Sequence, residues 1–181
     1  MFTYIDLLQI RNMRRNQFIK TTALGLAGVW STSVNANTLI KDAEPKPLEV
    51  NLVKQFVAAG HNDLPKVKEM YAEYPNLIYS RYDWGNGDFE SAIEGAGHVG
   101  NKEIANYLIE KGARVNIFIL SMLGKTKLVQ SILEDIPSLI FAKGAHGFTL
   151  LHHAKVGEKQ AKSLYDFLIK NGLTETKVKL G

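Results

Sequence analysis

Residues 91–116, SAIEGAGHVGNKEIANYLIEKGARVN, decide how this chain of 181 residues folds. Ile104, Leu108 and Ile109 fall at i, i+4 and i+5, one face of a helix. Ala96 and Gly97 are small enough to let a paired helix approach closely. Gly100 sits where a tight helix-to-helix turn favours positive φ, and Gly112 falls just past a helix end, as C-cap glycines do. The stretch therefore predicts a helix, a tight turn, a second helix and a stop.

The same phrases return along the chain. Leu168-Ile169-Lys170-Asn171-Gly172 repeats Leu108 to Gly112 at a distance of 60 residues. A degenerate unit precedes the first one: Gln55 to His61 carries an Ala58-Ala59-Gly60-His61 turn, and Val67 and Met70 begin its second helix. Another follows it, from Phe118 to Met122 through Gly124, with Leu128, Ile132 and Leu133 repeating the spacing of Ile104, Leu108 and Ile109. These two weaker units share a tail, Tyr74-Pro75-Asn76-Leu77-Ile78 and Ile136-Pro137-Ser138-Leu139-Ile140. A single hairpin of this kind cannot bury its apolar face alone, so neighbours must stack.

The ending from Leu108 to Asn116 gives L-[LI]-x-x-G-A-x-V-N in full, and in this it resembles the ankyrin repeat. Gly147 to Ala154 matches the opening phrase G-x-T-P-L-H-x-A except at Leu150, which stands for proline. The resemblance runs from Phe56 to Gly172 and is similar to small bacterial ankyrin-repeat proteins with D-W-G and H-G fingers. It implies an all-α solenoid of about four helix-turn-helix units of roughly 33 residues, spanning 48–173, with short hairpin fingers between units. It also implies structural roles for Gly100, Gly112 and Gly172. Thr149 is expected to cap a helix, and His152 to bond nearby backbone and hydroxyl groups. The function implied is that of a scaffold for protein–protein interaction, without catalysis.

The hydrophobic fraction of 45% and charged fraction of 22% are those of a globular protein. Net charge is +4, but four of the 22 basic residues (Arg11, Arg14, Arg15, Lys20) and one of the 18 acidic ones (Asp6) lie in residues 1–36. The remainder is nearly balanced, which gives no electrostatic pull on nucleic acid. The absence of cysteine removes disulfides, thiolate nucleophiles and cysteine-based zinc sites.

The front of the chain has the order of an export signal: Arg14-Arg15, a short apolar run from Ala23 to Trp30, then Val34-Asn35-Ala36 as a cleavage site. Cleavage is expected between Ala36 and Asn37, giving a periplasmic or secreted bacterial protein with no membrane anchor. The arginine pair resembles a twin-arginine signal; general secretion is the other route, and Met13 is an alternative start. Residues 37–47 form a charged, Pro-containing linker, and 174–181 a polar tail.

Two segments invite a binding role. The first runs from Arg81 to Glu90 and sets Tyr82, Asp83, Trp84, Asn86 and Asp88 around a Gly85-Asn86-Gly87 turn. The second, Lys143 to Phe148, contributes Lys143, His146 and Phe148 at the matching place before the last unit. Aromatic residues of this kind dominate interface hot spots. Alternatively, Trp84 and Phe89 fold back and staple the finger to the helices. A protein partner and a monomeric chain are expected. Competing readings are small-ligand or glycan capture by Trp84, or a hydrolase using Asp83, Asp88 and His146. No HExxH-like spacing is present, so neither a metal nor a cofactor is expected, and His61 and His98 are assigned solvated or capping roles near turns.

Overall fold

The computed structural model describes residues 46–180; the expected signal, its cleavage site at Ala36 and Asn37, and residues 37–45 of the linker lie outside them. Eight α-helices follow one another as four hairpins among these residues: α1 (Val50–Asn62) with α2 (Leu64–Glu73), α3 (Ala92–Val99) with α4 (Lys102–Glu110), α5 (Ile117–Met122) with α6 (Thr126–Asp135), and α7 (Leu150–Val156) with α8 (Lys162–Lys170). The first helices pack in chain order, α1 on α3, α3 on α5 and α5 on α7. The protein is mostly helical, consistent with the all-α expectation.

Polar side chains start these helices by accepting from backbone N–H groups that have no partner within the helix. Asp63 accepts from Lys66 N at 3.0 Å and Asn101 from Ile104 N at 3.1 Å, each opening the second helix of its hairpin. Asn116, the last residue of the repeat ending, accepts from Phe118 N and Ile119 N and so opens α5. Thr149 caps α7 as expected, accepting from His152 N at 3.4 Å.

The core follows the same order. Phe56, Val57, Ile93, Ile104, Leu108, Ile119 and Met122 are buried in one cluster; Leu150, Leu151, Leu164 and Leu168 lead the next. Two expectations fail in detail. Gly60 does not make a turn with positive φ. It lies inside α1, where a Cβ would stand 2.3 Å from Ala92 O, and the close approach of α3 is what requires glycine. In α6 the buried residues are Val129 and Leu133, whereas Leu128 is 51% exposed, because the helix presents a face rotated by one position. Gly100 and Gly112 do take positive φ, at 78° and 94°.

The mirrored tails form matching 3₁₀ turns, Pro75–Tyr79 and Pro137–Phe141, after residues with nearly equal dihedrals (Tyr74 φ −129°, ψ 76°; Ile136 φ −132°, ψ 76°). Beyond the first of them, β1 (Tyr82–Asp83) and β2 (Phe89–Glu90) form an antiparallel hairpin with Tyr82 opposite Glu90. The second finger has no hairpin of its own. It pairs with the C-terminal tail, Thr149 N donating to Thr176 O at 3.1 Å and Val178 N to Gly147 O at 2.9 Å. Among the described residues no helix is long and apolar enough to cross a membrane.

Gly60→Ala should lower stability by about 1–3 kcal/mol, as overpacking does, read as a lower urea midpoint with an unchanged slope. His153 gives a second test. It is 3% exposed, and burial, opposed by its hydrogen bond to Thr149 O, depresses its pKa from 6.5 to about 4. Below pH 6.5 the unfolded chain binds this proton and the folded chain does not. Stability is therefore full above that pH and falls as the pH drops toward 4, by about 3 kcal/mol. Urea unfolding of His153→Gln should show a flatter loss over this window than the parent.

Candidate functional site

Glu90 ends the first finger and is fully buried, 0% exposed. The chain reaches this position because the hairpin pairing of Tyr82 with Glu90 alternates the strand faces, so Phe89 points outward, 48% exposed, and Glu90 inward. Three imidazoles meet the buried carboxylate. His98 Nε2 lies 2.9 Å from Oε1, His61 Nε2 3.5 Å from Oε1, and His146 Nε2 3.4 Å from Oε2. His61 and His98 are themselves 3.0 Å apart between their Nε2 atoms. One ligand atom from each of the four residues lies within 4.8 Å of every other.

Each member comes from a different segment. His61 and His98 occupy the last turns of α1 and α3, where the helix carbonyl ends favour positive charge. Gly95 makes room for the His61 ring; a Cβ there would lie 2.9 Å from its Nδ1. His146 sits in the short 3₁₀ turn of the second finger with φ 57°, a left-handed conformation. It is held by Asp88, whose two oxygens accept from His146 N at 2.8 Å and from Nδ1 at 2.6 Å. The two fingers are thus tied to each other at this point.

The carboxylates are kept ionised. Burial pushes Glu90 upward, but the close approach of His98 Nε2 and, where the rings carry a second proton, the charges of His61, His98 and His146 bring its pKa below the usual value. Asp88 behaves alike: burial raises its pKa, and the backbone and ring donors of His146, then the charges of His146 and Lys177, lower it further than that. His152 stays outside the cluster. Its Nε2 donates to His98 O at 2.8 Å, and burial lowers its pKa.

The sequence-expected residues divide into two groups. Trp84 directs its Nε1 inward, donating to Glu90 Oε2 at 2.9 Å, and its ring meets Tyr82 edge-on at 4.7 Å while the residue stays 38% exposed. Phe148 stacks between His98 and His152, at 5.0 and 4.0 Å between centroids. Tyr82, Trp84, Asp88, His146 and Phe148 are therefore gathered around Glu90. Asp83 and Asn86 remain at the exposed tip, where Asp83 accepts from Gly85 N, and Lys143 donates to Lys179 O of the tail. Of the three acid–base candidates Asp88 and His146 meet, and Asp83 does not join them.

His61, Glu90 and His98 were missed. His61 and His98 are not solvated turn residues: His98 is 10% exposed and both rings face Glu90. A signal was present, since each ends an Ala/Gly-Ala-Gly-His phrase, at 58–61 and 95–98, in successive units. Nothing in spacing marks Glu90, whose burial comes from strand register. Compared with protein-family models and with curated proteins, the chain matches none.

Asp88→Ala should cost about 1–3 kcal/mol of stability by leaving two half-buried donors of His146 without an acceptor. Thermal unfolding at neutral pH would show a lower midpoint, and no loss would mean that the two fingers are not held together there.

Proposed function

We propose that this chain is an ankyrin-type repeat module, exported by a bacterium through its N-terminal signal, that binds a protein partner along the edge carrying its two fingers. The observation that carries the reading is the packing of α1, α3, α5 and α7 in chain order, with a hairpin entering between the first two units. Stacks of this kind offer an extended surface to a partner. The cap at Thr149 and the left-handed glycines at 100, 112 and 172 agree with the family's pattern.

An open groove of ≈ 380 Å³ runs beside the first finger, with Phe89 and Phe118 as apolar walls and charges of both signs, Arg81 paired with Glu94 at 3.0 Å and Lys143 and Asp88 beside them. Large aromatic side chains flanked by Arg fit the composition of interface hot spots. Phe89, rather than Trp84, is the outward anchor, because the Trp84 indole is engaged with Glu90. The reading includes no catalytic step and takes the Asp88–His146 pair, 2.6 Å apart, as the link between the two fingers.

The test is capture from periplasmic extract by the immobilised protein, with bound chains identified by mass spectrometry. A Phe89→Ser, Asp83→Ser variant should lose the specific partner at least about tenfold while keeping the parent's melting curve, as removal of an interface anchor does. Equal recovery by parent and variant would exclude the finger edge as the contact.

A further inference from the structure

The side-chain cluster beneath the Trp84 Nε1 has a hydrogen-bonding defect that an ordinary polar cluster does not have. His61 Nδ1 lies 3.2 and 3.1 Å from the carbonyl oxygens of Val57 and Ala58. Carbonyl oxygens only accept, so Nδ1 carries the hydrogen and a neutral ring leaves its lone pair on Nε2. His146 is fixed the same way, Nδ1 donating to the Asp88 carboxylate at 2.6 Å. Two imidazole lone pairs are thus directed at the region occupied by the Glu90 carboxylate. The Nε2 hydrogen of His98 can serve His61 Nε2 at 3.0 Å. Glu90 Oε1, completely buried, receives no well-directed hydrogen bond at all. A buried anionic oxygen without a donor is costly, and lone pairs facing it add repulsion. A cation at the centre removes both defects.

We infer that His61, Glu90, His98 and His146 form a four-coordinate site for a divalent transition-metal ion of the zinc class. Bond lengths of about 2.0–2.1 Å to nitrogen and oxygen, arranged tetrahedrally, put neighbouring ligand atoms roughly 3.3 Å apart. The separations of 2.9, 3.0 and 3.5 Å among His98 Nε2, His61 Nε2 and Glu90 Oε1 lie near that value, His146 Nε2 is 3.4 Å from the other carboxylate oxygen, and one ligand atom from each residue lies within 4.8 Å of the rest. Three imidazoles and one carboxylate suit zinc and its borderline neighbours; calcium and magnesium prefer all-oxygen shells. Asp88 completes a carboxylate–histidine–metal triad, the usual outer support of a ligating histidine. With Glu90 and Asp88 each contributing one negative charge, the filled site is electrically neutral.

Four protein ligands leave no open position, the pattern of a structural rather than a catalytic ion. The ion would join α1, α3 and both fingers at one point, and Trp84 closes over it through its bond to Glu90 Oε2. Asp88 acts here as a positioning residue.

The experiment uses the full chain, stripped with a chelator and checked by circular dichroism, then titrated with Zn²⁺ in competition with a chromophoric chelator. One equivalent should bind, and the melting temperature should rise with free metal. Co²⁺ should give the strong visible bands of a tetrahedral nitrogen–oxygen shell. Glu90→Gln and His61→Gln should lose at least about a hundredfold in affinity, and Asp88→Asn about 10–100-fold, the usual cost of an outer-shell partner. His152→Gln, outside the cluster, should bind like the parent. A parent that takes up no metal, gives only the weak spectrum of octahedral Co²⁺, or binds equally well in all variants would overturn the inference. Because the Co²⁺ spectrum is read on the parent, a variant that fails to fold leaves the test decisive.

Discussion

The helical hairpins of this protein lean on one another at contacts that have no room for a side chain, and the rest of the structure depends on that closeness. A Cβ on Gly60 would enter the backbone of Ala92, and one on Gly97 would stand 2.4 Å from Ile119 Cδ1. The first contact brings α3 against α1 at backbone distance, and at the second the Ile119 side chain of α5 fills the space over Gly97. Apolar residues can then form two buried clusters from helices of six to thirteen residues, which are too short to persist alone. The same closeness sets the ends of α1 and α3 side by side, so that His61 and His98 meet in a T-shaped contact 4.8 Å between centroids.

Helices and their limits were legible because local chemistry specifies them. Thr149 caps its helix as the repeat pattern implies, and Gly112 and Gly172 take left-handed conformations beyond helix ends. Gly60 was misread because a close interhelical approach and a turn ask for the same residue, and only the partner helix distinguishes them. Leu128 was misread for a related reason: two adjacent apolar residues, Leu128 and Val129, fit either phase of a short helix, and packing chose Val129.

The site was less legible because it is assembled across units. Asp88 and His146, paired at 2.6 Å, are 58 residues apart in the chain, and the sequence joined them only as acid–base candidates with Asp83, which stays at the exposed tip. Glu90 looked like the charged end of a hairpin. Its burial depends on a two-residue strand register and on the second finger, which the C-terminal tail holds through Thr176 and Val178. A carboxylate in that place is expensive without cationic or donor partners. Three histidines, an indole N–H and an aspartate gather around it, so the finger cannot be treated as an appendage of the helices.

The paired 3₁₀ tails also bear on how such an array changes length. The first and third hairpins end in a proline-led tail beginning at Pro75 and Pro137, and the second and fourth end in a left-handed glycine, Gly112 and Gly172. The two kinds of ending alternate, so the structural period is two hairpins, the 62 residues from Pro75 to Pro137. Gain or loss of a single hairpin would set two like endings side by side. A duplication or deletion of a whole pair would preserve every junction, which makes the double hairpin the natural increment by which this architecture grows or shrinks.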